Sequence, residues 1–273
     1  MSCQPIGLFD SGVGGLSVLL ELERQLPTEN IIYFADTLHM PYGPRSPEQL
    51  RQYVFAILQF LQEQNVKLVI MACNTSSAVV LPFAQEKFPL PMIGMIEPVV
   101  QQLALSPVRR LGVMATEATV QSGTYSRELK KAGFTGEVYC QPCPELAALV
   151  EMGVGNSRLA SVLQECSQPL IQAQVEQVVL GCTHYPFASK ALSTALGNDI
   201  LLLDPATYVV AEAKHFLERK QLLRNELTAA QHLAYVSGSL PAFEQRAEQL
   251  LGRSLKAQPV GFSAEQANYH LLS

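Results

Sequence analysis

Apolar residues at the start of the chain fall into short solid runs, separated by longer stretches in which they recur every three or four positions. Pro5 to Asp10 is one such run, ending on an acid, and Gly12, Gly14 and Gly15 punctuate the chain before a helical pattern from Leu16 to Gln25. The pattern predicts strand, loop and helix in that order. Asn30 to Ala35 predicts a second strand, Asp36 to Ser46 a polar, proline-bearing loop, and Pro47 to Gln64 a long amphipathic helix. Leu68 to Ala72 predicts a third strand, which stops at Cys73. Strands alternating with helices indicate a parallel sheet covered on both faces.

From Arg110 the pattern restarts. Leu111 to Ala115 predicts a strand, Thr116 to Thr119 a polar loop and Ser122 to Ala132 a helix; Gly136 to Cys140 is a further strand and Asn156 to Gln174 a further helix. Gln177 to Leu180 is then a strand that stops before Gly181-Cys182. Asp10 precedes Cys73 by 63 positions and Thr116 precedes Cys182 by 66, so strand-end polar groups recur at nearly one interval. The expected fold is α/β: two similar, pseudo-symmetric domains, each a mostly parallel sheet flanked by helices, with the active site in the cleft between them. Asp204-Pro205 marks a turn before a helix from Ala206 to Leu223, and one strand and one helix over His232 to Leu251 return to complete the first domain. The expected division is residues 1–97 plus 207–273, carrying Asp10 and Cys73, and residues 98–206, carrying Cys182 and His184.

Composition narrows the function. A net charge of -5 argues against nucleic acid as the main partner, because phosphate recognition needs clustered Lys and Arg. No stretch approaches the roughly 18 to 20 apolar residues of a membrane span, and no signal-type segment opens the chain, so no membrane partner and a cytoplasmic location are expected. The six cysteines, at 3, 73, 140, 143, 166 and 182, are expected as thiols in that compartment. Cys140 and Cys143 have C-x-x-C spacing, but no second pair follows at zinc-site distance and no thioredoxin-like context surrounds them.

In open parallel sheets ligands bind beyond the carboxyl ends of the strands. The polar clusters Asp10-Ser11, Asp36 to Gly43, Cys73-Asn74-Thr75-Ser76, Thr116 to Thr119 and Cys182-Thr183-His184 all fall there. The Asp10 to Gly15 turn lacks the order of a dinucleotide fingerprint and the lysine of a P-loop; its small residues instead suit backbone amides approaching a carboxylate, or simply a tight turn. One cysteine at a buried strand end is ordinarily a small hydrophobe. Two in matched halves suggest more. Nucleophilic attack needs one thiol, whereas inverting a stereocentre needs a base on one face and an acid on the other. A free thiol pKa of about 8.5 suits both tasks near neutrality. Asp10 and His184 are the candidates to orient or deprotonate the thiols, against plainer roles as a helix cap and a hydrogen-bonded loop residue. No lysine falls in the clusters to anchor pyridoxal phosphate, and no metal ligand set is recognisable, so no cofactor and no metal are expected. Neutral donors would hold the substrate carboxylates: Ser11, Asn74, Thr75, Thr116, Thr183 and the amides near Tyr42-Gly43.

The runs IGLFDSGVGGLSV, FADTLHMPYGPRS, MACNTSSA, GMIEP and LGCTHYPF, in that order from about Ile6 to Gly252, resemble the glutamate racemases of the aspartate/glutamate racemase family. The resemblance implies interconversion of L- and D-glutamate without a cofactor, D-glutamate serving peptidoglycan synthesis, and a possible homodimer. It also implies Cys73 and Cys182 as catalytic residues with Asp10 and His184 as helpers, and substrate contacts at Asp10, Ser11, Tyr42, Gly43, Asn74, Thr75, Thr183 and His184. Glu151, within LVEMG, resembles a further acidic residue that assists. The departures are Leu38 and Met40 around His39, and the pair Ser76-Ser77. The same residues leave open an aspartate racemase, a cysteine-dependent hydrolase and a non-catalytic amino-acid-binding module.

Overall fold

The computed structural model describes residues 3–153, 157–225, 228–263 and 267–272. Its strands are β1 (Ile6–Asp10), β2 (Ile31–Ala35), β3 (Leu68–Met71), β4 (Met92–Gly94), β5 (Arg110–Ala115), β6 (Glu137–Pro142), β7 (Gln177–Gly181), β8 (Leu201–Leu203), β9 (His232–Val236), β10 (Ala257–Ser263) and β11 (Asn268–Leu271). One sheet has seven strands in the order β11-β10-β9-β2-β1-β3-β4, the other four in the order β6-β5-β7-β8. Every pairing is parallel except β10 with β11.

The order β2-β1-β3-β4 repeats as β6-β5-β7-β8, which is the pseudo-symmetry the sequence pattern suggested. Side chains alternate across each sheet, as the period of two demands. Ile6 and Leu8 enter one core with Tyr33, Leu68 and Ile70, while Phe9 enters another with Phe34, Val69 and Met71. In the smaller sheet Met114, Val178 and Leu180 face one core, and Leu111, Val113 and Val179 the opposite one. Burial on both faces explains why the strands read as unbroken apolar runs.

Helix Leu16–Gln25 coincides with the predicted one, and Pro47–Glu63 starts where expected because Ser46 and Gln49 form a capping box ahead of Pro47. Two expectations need correction. Thr116 to Thr119 is not a loop: Thr116 caps a helix, Glu117–Gln121, by accepting from the Thr119 amide at 3.4 Å. The helix from Ala206 ends at Arg219 rather than Leu223. The helix expected from Asn156, a position outside the described residues, is seen as Ser157–Gln172. The closing hairpin of β10 and β11 was not anticipated, since its positions show no clean alternation. Among the described residues no helix is long and apolar enough to cross a membrane.

Candidate active site

The sheet register sets the site. Phe9 lies opposite Met71, and Ala115 opposite Gly181. Continuing each register brings Ser11 level with Cys73 and Thr116 level with Cys182. The interval count had matched Asp10 with Thr116; the register matches Asp10 with Ala115, because loop length, which the count includes, plays no part in strand pairing. The carboxylate of Asp10 therefore has no counterpart in the second half. His184, two residues after Cys182, has Thr75 as its counterpart.

A cavity lies between the two sheets and is lined by side chains of both halves. Cys73, Asn74 and Thr75 line it from the first half with Ser11, Tyr42 and Gly43; Thr116, Cys182, Thr183 and His184 line it from the second. Met40, Pro41, Ala147, Ala148 and Glu151 complete the wall. Asp10 is the exception among the expected residues: it is fully buried beneath the floor. Met40 and Pro41 belong to the Asp36 to Gly43 stretch expected at the site, whereas Ala147 and Ala148 were missed because apolar residues of a pocket wall carry no chemical signature in sequence. Neither Lys nor Arg is among the described lining residues.

Around Cys182 the groups form a chain. His184 Nδ1 lies 3.7 Å from Cys182 Sγ, and its Nε2 lies 2.6 Å from Glu151 Oε2. Burial works against a charged imidazole here, but the hydrogen bonds and charges of Cys182 and Glu151 outweigh it and hold His184 well above its ordinary value. Glu151 reaches the site from helix Leu146–Met152, and Tyr185 pins the segment after His184 by donating to the Cys143 carbonyl at 3.1 Å.

Cys73 has a different environment. It precedes helix Asn74–Val79 as its N-cap, and burial, reinforced by the Asp10 charge, pushes its thiol up to about 12 despite hydrogen bonding to Ser76. The Cys182 charge adds a smaller share to the rise. Asp10 accepts from the Gly12 amide at 3.0 Å and from Thr183 Oγ1, across the cleft, at 3.1 Å. Its own pKa is raised by burial, against the His184 charge and these hydrogen bonds.

The glycine turn serves close approach. Gly12, Gly14 and Gly15 do not have positive φ, yet a Cβ on Gly14 would stand 2.5 Å from His184 Nδ1, and one on Gly15 2.7 Å from Asp10 Cβ. The carboxylate its backbone meets is the protein's own Asp10.

Several expected donors are already engaged. Tyr42 donates its hydroxyl to Asp36 at 2.5 Å, which leaves its ring and the Tyr42-Gly43 backbone to the cavity. The Thr75, Thr116 and Thr119 hydroxyls bond one another at 2.9 to 3.3 Å across the halves. Asn74 accepts from Tyr125 at 2.7 Å, while its Nδ2 is buried with no partner among the described residues. A buried donor of this kind is costly unless something fills it. Of the departures, Ser77 is structural: it donates to the Met71 carbonyl and accepts from the Met95 amide, whereas Leu38 is half exposed.

The remaining cysteines stand apart. Cys143 and Cys166 pack together in the core of the second half, and Cys140 sits beside Ser126; none of them lines the cavity. Among the described residues no group of three or more His, Cys, Asp or Glu is placed to hold a metal ion.

Twin α/β units sharing one cleft, each delivering a strand-end thiol to it, define an isomerase able to address two faces of a small substrate. The chain belongs to the Asp/Glu/hydantoin racemase family, whose model matches residues 6–213. It is 42% identical over 249 residues to the glutamate racemase of Picosynechococcus sp., covering 91% of this chain and 88% of that one. Among solved structures it is similar to glutamate racemase isoform RacE1 from Bacillus anthracis, with a TM-score of 0.91 and 33% identity over 95% of this chain and 98% of that one. The Francisella tularensis glutamate racemase in complex with D-glutamate superposes with a TM-score of 0.89 at 30% identity, covering 97% of this chain and the whole of the other.

Proposed function

We infer that the chain is a glutamate racemase: it interconverts L- and D-glutamate by moving the α-proton between two thiols. The observation that carries the reading is that Cys73 and Cys182 reach one cavity from different sheets, at matched ends of β3 and β7. In one direction a thiolate removes the α-proton from one face while the opposite thiol donates to the other; the reverse direction exchanges the roles. His184 with Glu151 serves the Cys182 side, and Asp10 sits under the Cys73 side. The unpaired Asn74 amide, the threonine hydroxyls, Ser11 and the Tyr42-Gly43 backbone receive the substrate carboxylates, with neither Lys nor Arg among the described lining residues.

Glutamate rather than aspartate is supported by the relatives. One methylene is worth only about 1 to 3 kcal/mol of discrimination. The likeness to an aspartate racemase homologue from Pyrococcus horikoshii, at 17% identity, extends to the fold alone. The reading includes the division into residues 1–97 plus 207–273 and 98–206, a cytoplasmic location, a homodimer and a supply of D-glutamate to peptidoglycan synthesis.

The test is α-proton exchange in D2O, followed by NMR and optical rotation on the purified protein without added pyridoxal phosphate or metal. Either enantiomer should gain deuterium and drift to zero rotation, and Cys73→Ala and Cys182→Ala should each abolish the drift. Unchanged rotation with folded protein overturns the racemase; near-normal racemisation by either variant overturns the two-thiol mechanism.

A further inference from the structure

Glu151 can reach His184 only if the short helix that carries it is held in place. Helix Leu146–Met152 spans 7 residues, and the chain turns away from it at Gly153, where φ is +112°. Two turns of helix have little stability of their own, so tertiary contacts must hold this one. Its inner side is held by Leu146, Leu149 and Val150, which are buried in the core of the second half. Its last turn is held from elsewhere. Arg246 of helix Leu240–Leu251, which packs with the seven-stranded sheet of the other half, donates through Nη2 to the carbonyl of Val150. The same carbonyl accepts from the Gly153 amide at 3.2 Å.

This contact has three properties that an incidental surface bond lacks. It joins the two halves across the rim of the cleft, 96 positions apart in sequence. It brings a cation to the C-terminal end of a helix, where the carbonyls without an intrahelical partner carry the negative end of the dipole. And it acts on the residue next to Glu151, whose carboxylate lies 2.6 Å from His184. Arg246 is itself steadied by donating from Nη1 to Gln249 at 2.8 Å, while its Nε is buried with no partner among the described residues. Separation of the two halves would break this bond, and with it the hold on the last turn of the helix.

We propose that Arg246 is a positioning residue for the Cys182 side of the reaction: by bonding the Val150 carbonyl across the cleft, it fixes Glu151, and through it His184, only when the halves are closed. The proposal rests on the reading that His184 serves Cys182. It makes closure and the alignment of one acid–base group a single event, while the Cys73 side, which Arg246 does not touch, is left unaffected.

The test compares Arg246→Met, which keeps the stem and loses the donors, with Arg246→Lys, which keeps a cation and a donor. Racemisation of α-deuterated and ordinary L- and D-glutamate is measured with each. With Arg246→Met, kcat should fall on the order of 10- to 100-fold, as misplacement near 1 Å produces, with less change in KM. Arg246→Lys should recover part of the loss, and carries the test if Arg246→Met does not fold. The decisive readout is the primary isotope effect. It should rise for the enantiomer whose α-proton Cys182 removes and fall toward unity for the other, because only one of the two proton transfers has been slowed. A purely structural role would reduce the active fraction and move neither isotope effect. In addition, Arg246→Met combined with Glu151→Gln should lose little more than Glu151→Gln alone, since both act through one path. Unmoved isotope effects, or fully additive losses, overturn the proposal. If these appear while Cys182→Ala stays inactive, the two-thiol reading stands and only the role of Arg246 falls; near-normal turnover by Cys182→Ala overturns both.

Discussion

Gly14 and His184 are in such close contact that a Cβ at position 14 would lie 2.5 Å from the imidazole Nδ1, the same atom that faces Cys182 Sγ. The first glycine turn of one half is thus part of the wall that orients the histidine of the other. Gly14→Ala should cost about 1 to 3 kcal/mol of stability by overpacking, and on the order of 100-fold in kcat by displacing the ring. Chemical denaturation and steady-state racemisation check the two figures separately. Full activity in Gly14→Ala would mean that His184 does not need its position.

The imidazole of His184 should remain doubly protonated well past pH 6.5, its ordinary value, because the hydrogen bonds and charges of Cys182 and Glu151 outweigh its burial. A folded-state value above the unfolded one means that this interaction stabilises the fold fully below about pH 6.5 and progressively less as pH climbs through the folded-state value. Glu151→Gln should bring the titration down, seen by nitrogen-detected NMR of the ring, and lower kcat on the order of 100-fold. A ring that titrates identically in both proteins would leave Glu151 without this influence.

The Cys73 thiol, raised to about 12 chiefly by burial and then by the Asp10 charge, should be slow to alkylate at neutral pH. In a Cys182→Ala background that isolates it from its partner, the rate of carbamidomethylation of Cys73 should keep rising well above pH 9. Asp10→Asn removes the repelling charge and should speed the reaction at a given pH, read by mass spectrometry of the Cys73 peptide. A plateau below pH 9 with Asp10 intact would contradict the assignment.

The hydroxyl triangle of Thr75, Thr116 and Thr119 spans the cleft with bonds of 2.9 to 3.3 Å. Thr116→Val keeps the shape and deletes a donor. At roughly 0.5 to 1.5 kcal/mol for one hydrogen bond, KM should rise about 2- to 10-fold with kcat less affected. An unchanged KM would remove Thr116 from substrate binding.

Much of this molecule was legible before folding was considered. β1 to β3, β5 and β7 are apolar runs because both faces of each sheet are buried, and helices Leu16–Gln25 and Pro47–Glu63 announce themselves by period and capping residues. The two thiols could be picked out because a strand end in a parallel sheet is where sites form. β8, three residues long, and the closing hairpin of β10 and β11 were invisible, since short or irregular strands take their identity from the neighbour they pair with.

What the sequence alone determined, then, was the alternation of strand and helix, the repeat, and the residue types at the strand ends, because these follow from local period and composition. Tertiary structure decided which of those residues meet. Only the strand register set Thr116 against Cys182 and left Asp10 without a twin. Only packing between the halves placed Thr183 on Asp10, His184 on Gly14 and Arg246 on the helix of Glu151. Such contacts join positions 96 to 173 residues apart, and no local preference of the chain encodes a partner at that distance.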